Sequence, residues 1–208
     1  KFKQDDNKKL FAIFDEPINS WSGIPQGYYV DDFAEEGIMF EGFFLPPAFL
    51  SFSLPAYGKE LKKFMADYSK LAGFGIMVTD SSHGRVIAGI DNSPMIFYSL
   101  NKADTEKFKK GIEIAAKVYF EAGAKKVLMP LIGFDEINHP DELKILHETD
   151  IKPSQLELSA FHPMGTCRMG DNPKTSVVDP FLETHDIKNL FIADGSVFPS
   201  SLGVNPQV

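Results

Sequence analysis

Glycines and prolines gather around three polar residues near the end of this chain, His162, Asp194 and Asn205, in the runs SAFHPMGTCRMG and NLFIADGSVFPSSLGVNPQV. Such punctuation is expected where a backbone turns sharply and approaches another group closely. His162 follows a short apolar strand, expected over Leu156–Phe161, and precedes Pro163, so a restricted backbone places its imidazole. Histidine is the side chain best suited to take up a proton near neutral pH. A buried histidine, hydrogen-bonded in the core, satisfies the same observations. Asn205-Pro206 has the form of an N-cap followed by the first residue of a helix, where proline loses nothing. Such a helix would aim free N–H groups and its positive dipole end at an anion or an electron-rich ring; an ordinary helix start reads the same way. Asp194-Gly195 closes a second expected strand, Asn189–Ala193, and makes either a plain turn or a close approach to a cofactor's polar linker.

The elements that must position these residues lie upstream. Lys1–Lys9 is polar and is expected to fray, and the segment 1–27 reads as linker and loop, carrying the lone Trp21. Aromatic and β-branched stretches at Tyr28–Phe33 and Ile38–Leu45 read as strands. A helix is expected over Gly58–Leu71, and a hairpin joins Ile76–Thr79 to Arg85–Ile90, with a third strand at Met95–Tyr98. The clearest helix runs over Ala103–Ala122, with Asn101 as its cap and Phe108, Ile112, Ala115, Ala116 and Tyr119 as its apolar stripe. Lys125–Pro130 reads as a buried strand and His139–Glu148 as a short helix. Strands and helices alternating without a βαβ rhythm predict an α+β fold, a mostly antiparallel sheet with helices on one face. The expected divisions are 1–27, a sheet-and-helix part at 28–160, and a C-terminal segment at 161–208.

Composition excludes several function classes. With 29 Asp+Glu against 21 Lys+Arg the formal charge is −8, which argues against a general nucleic-acid surface, because phosphate binding needs clustered cations. The single cysteine, Cys167, excludes an internal disulfide framework and fits a reducing, cytoplasmic location. No apolar run reaches the roughly 18 residues of a membrane helix; the run from Gly37 to Leu50 is broken by Glu41, Pro46 and Pro47. The polar start KFKQDDNKKL has no leader pattern.

The ordered string HPMGTCRMG, VVDP and NLFIADGSVFPSSLGVNPQ resembles the C-terminal signature of the glucose–methanol–choline (GMC) family of flavin oxidoreductases. WSGIPQGYYVDDF, GIMFEGFFLPP and GAKKVLMP are more loosely similar to members acting on long-chain alcohols and sterols. The resemblance implies that His162 accepts the hydroxyl proton of an alcohol while hydride leaves for FAD, and that Asn205 binds the substrate oxygen. It further implies that Asp194 and Gly195 contact FAD, with Asn205, Pro206 and Gln207 forming a helix start beside the flavin ring. The family's G-x-G-x-x-G nucleotide-binding turn is missing; GFGIMV at Gly73–Val78 lacks the third glycine. The chain therefore reads as the substrate-binding and C-terminal part of such an enzyme, truncated just after Asn205 and separated from its N-terminal FAD-binding part. Alone it is expected to hold little or no FAD and to be inactive. The alternative is a non-catalytic binding module with the same fold and no flavin.

Phe40, Phe43, Phe44, Phe49 and Phe52 are expected to pack mainly between sheet and helix, with one or two facing a pocket for an apolar alcohol. Cys167 lacks Cys or His partners at metal-ligand spacing and reads as a small packed residue, so no metal site is expected.

Overall fold

A strand that begins in the polar N-terminal segment organises the molecule. The structure is a computed structural model and describes residues 3–206 other than 25 and 55; the side chains of 3–8 and 53 lie outside that description. Strand β1 (Lys3–Ile13) pairs along Asp5–Ile13 with β4 (Leu71–Thr79). Its other edge is shared between β9 (Ser159–Met164), against Lys3–Asn7, and β7 (Lys126–Leu131), against Phe11–Ile13. The segment expected to fray is thus central. Pairing on both edges satisfies its backbone N–H and C=O groups, a non-local gain to which side-chain polarity is blind.

β2 (Tyr29–Val30) and β3 (Ile38–Phe43) extend the sheet beyond β4, and β8 (Phe134–Ile137) extends it beyond β7. The result is a seven-stranded sheet in the order β2-β3-β4-β1-β7-β8 with β9 beside β1, every pair antiparallel. With the helices below, this is the α+β architecture expected.

Alternation along β1 divides the core into two layers. Leu10 and Ala12 join Ile38, Phe40, Ile76 and Val78 beneath Phe108, Ile112, Ala115, Ala116 and Tyr119 of the long helix Lys102–Glu121. Each fully buried Phe or Ile there contributes about 1.5–3 kcal/mol. Phe11 and Ile13 point the other way, to Leu50, Leu54, Phe64 and Leu71. That second layer contains α1 (Pro47–Ser53) and α2 (Gly58–Ala66), so with the long helix as α3 (Lys102–Glu121) both faces carry helices. α1 and α2 cover only one end of their face. The rest of it holds the cavity described below.

Asn101 caps α3 as expected, its side-chain oxygen accepting from the Asp104 N–H at 2.8 Å. The expected hairpin between Ile76–Thr79 and Arg85–Ile90 is absent. β5 (Arg85–Ala88) pairs instead with β6 (Pro94–Phe97) in a separate two-stranded ribbon. The intervening serines serve α3: the Ser81 and Ser82 N–H groups donate to Asp104 Oδ2 at 2.9 and 2.8 Å. The helix over Gly58–Leu71 ends at Ala66, and His139–Glu148 divides into a 3-10 turn, Pro140–Lys144, and α4 (Ile145–Glu148). The strand expected at Asn189–Ala193 is reduced to a single bridge, Glu183↔Phe191, flanked by backbone bonds from Thr184 to Leu190 and from Ile192 to Leu182. Left-handed φ of 69° at Leu182 and 64° at Asn189 stops the pair from extending. The expected division between 160 and 161 falls within β9.

Candidate active site

β9 passes beside β1 with an irregularity that determines where its side chains point. Asp5 is paired with His162 but Asp6 with Ala160, which leaves Phe161 as an extra, unpaired residue. A bulge of this kind breaks the two-residue alternation and re-aims a side chain. Neighbours on a regular strand face opposite sides; here Phe161 and His162 both border one cavity of about 460 Å3.

The floor of that cavity is a row across the sheet. Lys9 and Glu41 both pair with Gly75, from β1 and β3 respectively. Gly75 offers no side chain, so the space between the flanking lysine and glutamate stays open. Phe43, Phe44 and Leu45 form an apolar wall, and Asn205 and Pro206 close the opposite side. Of the five phenylalanines in the cluster, Phe43 and Phe44 face the cavity, Phe40 packs under α3, and Phe49 and Phe52 are exposed.

Glu41 is 5% exposed, and both its oxygens are used. Oε1 accepts from Asn205 Nδ2 at 2.5 Å and Oε2 from Gln26 Nε2 at 3.0 Å. Charge-assisted bonds of this type fix an amide's orientation. With Nδ2 so engaged, the Asn205 carboxamide keeps its oxygen for something else. Asn205 Oδ1 and His162 Nδ1 are both buried, and neither has a hydrogen-bond partner among the described residues. An unmet buried polar atom costs about 1–3 kcal/mol, and such atoms in a cavity wall mark a place where a ligand completes the bonding.

The structure therefore brings His162, Asn205 and Pro206 to one place. Asp194 and Gly195 do not border that cavity. Asp194 caps the 3-10 turn Gly195–Val197, its Oδ1 accepting from the Ser196 N–H at 2.8 Å. Hydrogen bonds from the Ser196 side chain and backbone hold its carboxyl below the usual carboxylate range. The turn lies at the end of β9: a Cβ on Gly195 would sit 3.7 Å from the Pro163 carbonyl oxygen. Backbone bonds from Cys167 to Ser196 and from Met169 to Val197 hold it there. Asn205 and Pro206 are not helical, and Gln207, with the helix expected to start there, lies outside the described residues.

Glu41, Gln26, Lys9 and Gly75 were not singled out by the sequence. One signal was present, an acidic residue inside the apolar strand IMFEGF. No group of His, Cys, Asp and Glu that could hold a metal exists among the described residues, and Cys167 is a partly buried free thiol. No helix among them is long and apolar enough to cross a membrane.

Comparison with known proteins matches residues 82–208 to the model of a family described as GMC oxidoreductase. An uncharacterized GMC-type oxidoreductase of Mycobacterium tuberculosis (strain ATCC 25618 / H37Rv) is 30% identical over 201 residues, 96% of this chain and 32% of that protein. A long-chain-alcohol oxidase of Arabidopsis thaliana is 34% identical over 173 residues, 79% of this chain and 23% of that protein. A 2-methyl-1,2-propanediol dehydrogenase of Mycolicibacterium austroafricanum is 35% identical over 92 residues, 44% of this chain and 17% of that protein. The chain thus spans about a third or less of the length of these relatives.

Proposed function

Because the chain belongs to the GMC oxidoreductase family, whose cofactor is FAD, we propose that it forms the substrate side of an enzyme oxidising the CH–OH group of an alcohol. The observation that carries this reading is the pair of buried, unpartnered atoms, His162 Nδ1 and Asn205 Oδ1, on two residues that border one cavity. An alcohol oxygen between the two side chains would meet a proton-accepting imidazole on one side and a fixed carboxamide on the other.

His162 takes the hydroxyl proton on its imidazole, held in place by the bulge at Phe161. The alcohol has one hydroxyl proton and His162 takes it, so Asn205 meets that oxygen through the second N–H of Nδ2, Glu41 holding the first, and Oδ1 accepts from a donor elsewhere on the ligand. The apolar wall of Phe43, Phe44 and Leu45 excludes water and accepts the hydrocarbon part of the alcohol. A long-chain or sterol-like chain suits that wall, in keeping with the name of the Arabidopsis thaliana relative.

What supports FAD beside this set is the Asp194-Gly195 turn, carried at the end of the strand that holds His162, where glycine lets a backbone approach closely. Asn205, Pro206 and Gln207 would hold its ring, and Asp194 and Gly195 its linker. When bound, the flavin supplies the acceptor for the carbinol hydride.

The test is anaerobic reduction of the flavin by alcohol in the complete flavoenzyme. His162→Ala should slow reduction by about 100-fold or more while leaving flavin content unchanged. An unaltered reduction rate would remove His162 from the chemistry.

A further inference from the structure

Among the described residues Lys9 is a basic side chain without an acidic partner, and it borders two cavities. They are the cavity that holds His162 and a neighbouring one of about 550 Å3, where Leu54, Leu61 and Leu158 lie beside Ser51, Glu157 and Ser159. Its Nζ lies 4.9 Å from the centre of the Phe161 ring and 5.9 Å from that of Phe43. Aromatic faces compensate a cation only partly. Among the described residues Lys9 forms no ion pair; other lysines there also form none, but nearly all of those are exposed, whereas Lys9 is half-buried. Burial works against its charge, pulling its pKa below the ordinary lysine value.

The nearby carboxylates do not relieve this. Glu41, across Gly75 in the same row, gives its oxygens to Asn205 and Gln26. Glu157 borders the second cavity without pairing with Lys9. In a chain with 29 acidic residues against 21 basic ones, a half-buried cation that meets no carboxylate among the described residues is a charge waiting for a ligand.

We propose that Lys9 recognises a carboxylate on the substrate, which is then a hydroxy acid: its hydroxyl meets His162 and Asn205, its carboxylate meets Lys9. The second cavity takes the remaining apolar part. One compact unit charge matches a monoanion, and a dianion would leave surplus negative charge beside Glu41 and Glu157. The alcohol end of this ligand rests on the function proposed above; the carboxylate contact does not.

Calorimetric titration of the 208-residue protein with octanoate and with 1-octanol separates the two. Octanoate should bind at least about tenfold more tightly than 1-octanol, as a charge-assisted contact requires. Lys9→Met should erase the difference and Lys9→Arg should keep it, with Lys9→Gln replacing the Met variant if that does not fold. Equal affinities, no binding of octanoate, or a preference that survives loss of the charge overturns the proposal. A carboxylate preference in a protein whose flavoenzyme form oxidises no alcohol keeps Lys9 in its role and defeats the oxidase reading alone.

Discussion

Glu41 and Asn205, 164 residues apart in sequence, are joined by a 2.5 Å hydrogen bond from the carboxamide nitrogen to the carboxylate. The bond ties the returning C-terminal segment to β3 and decides which end of Asn205 is left for a ligand. A buried carboxylate with both oxygens engaged acts here as a positioning group, setting the donor and acceptor pattern of the cavity wall.

Glu41→Ala leaves two amide donors, on Asn205 and Gln26, without their acceptor. Stability should fall by about 1–3 kcal/mol in denaturant titration. In the flavoenzyme, reduction by alcohol should slow by about 10-fold or more, since Asn205 is then free to rotate. Glu41→Gln, which can still accept on one oxygen, should recover part of both. Unchanged stability and rate would show that Asn205 is held by other contacts.

Asp104 contributes to acid stability. Burial disfavours its charge, but hydrogen bonds from Ser82 and Ser81 and the Lys107 ammonium outweigh that and hold its pKa below the ordinary carboxylate value. A lowered folded-state pKa contributes stability that is fully present above the unfolded-state value and is lost as pH falls through the folded one. Asp104→Ala should therefore destabilise by about 3 kcal/mol at neutral pH, and the gap from the parent should narrow toward the acid end of a pH series of melting curves. A gap that stays constant down to the lowest pH would contradict the assignment.

Gly111 marks the closest approach of α3 to the sheet. A Cβ there would lie 2.6 Å from Ile76 Cγ2 and 3.5 Å from Ile38 Cγ2, both on fully or almost fully buried residues of the sheet. Cγ2 moves only by rotation at χ1, which would carry the rest of the buried isoleucine side chain with it. The helix-propensity gain of Gly→Ala, about 1 kcal/mol, is outweighed by overpacking of about 1–3 kcal/mol. Gly111→Ala should lower the melting temperature, whereas Gly123→Ala, with open space around its Cβ and φ +91°, should suffer from backbone strain only.

What was legible in the sequence was local. The apolar stripe of α3 and its Asn101 cap depend on residues a few positions apart, and both are present. The family signature, carried by contiguous residues, is matched over 82–208. His162 and Asn205, expected at one site, do share a cavity. What was not legible depends on pairing between distant segments. β1 looks like a frayed linker until its two edges are paired, and the Ser81-Ser82 turn looks like a hairpin until Asp104 binds it. The bulge at Phe161 arises from the register of β9 on β1, which no pattern within β9 announces. Glu41 is visible only as a charge in an apolar strand, and its partners arrive from both sides in sequence, Gln26 and Asn205.

If His162 and Asn205 act on a single oxygen, their effects cannot be independent. The decisive measurement is a double-mutant cycle on flavin reduction by alcohol, comparing His162→Ala, Asn205→Ala and the double variant in the flavoenzyme. The account predicts strong non-additivity: the double variant is slower than the slower single one by about threefold at most. Multiplicative losses from the two substitutions would mean that the side chains serve separate ends, and the shared site would have to be abandoned.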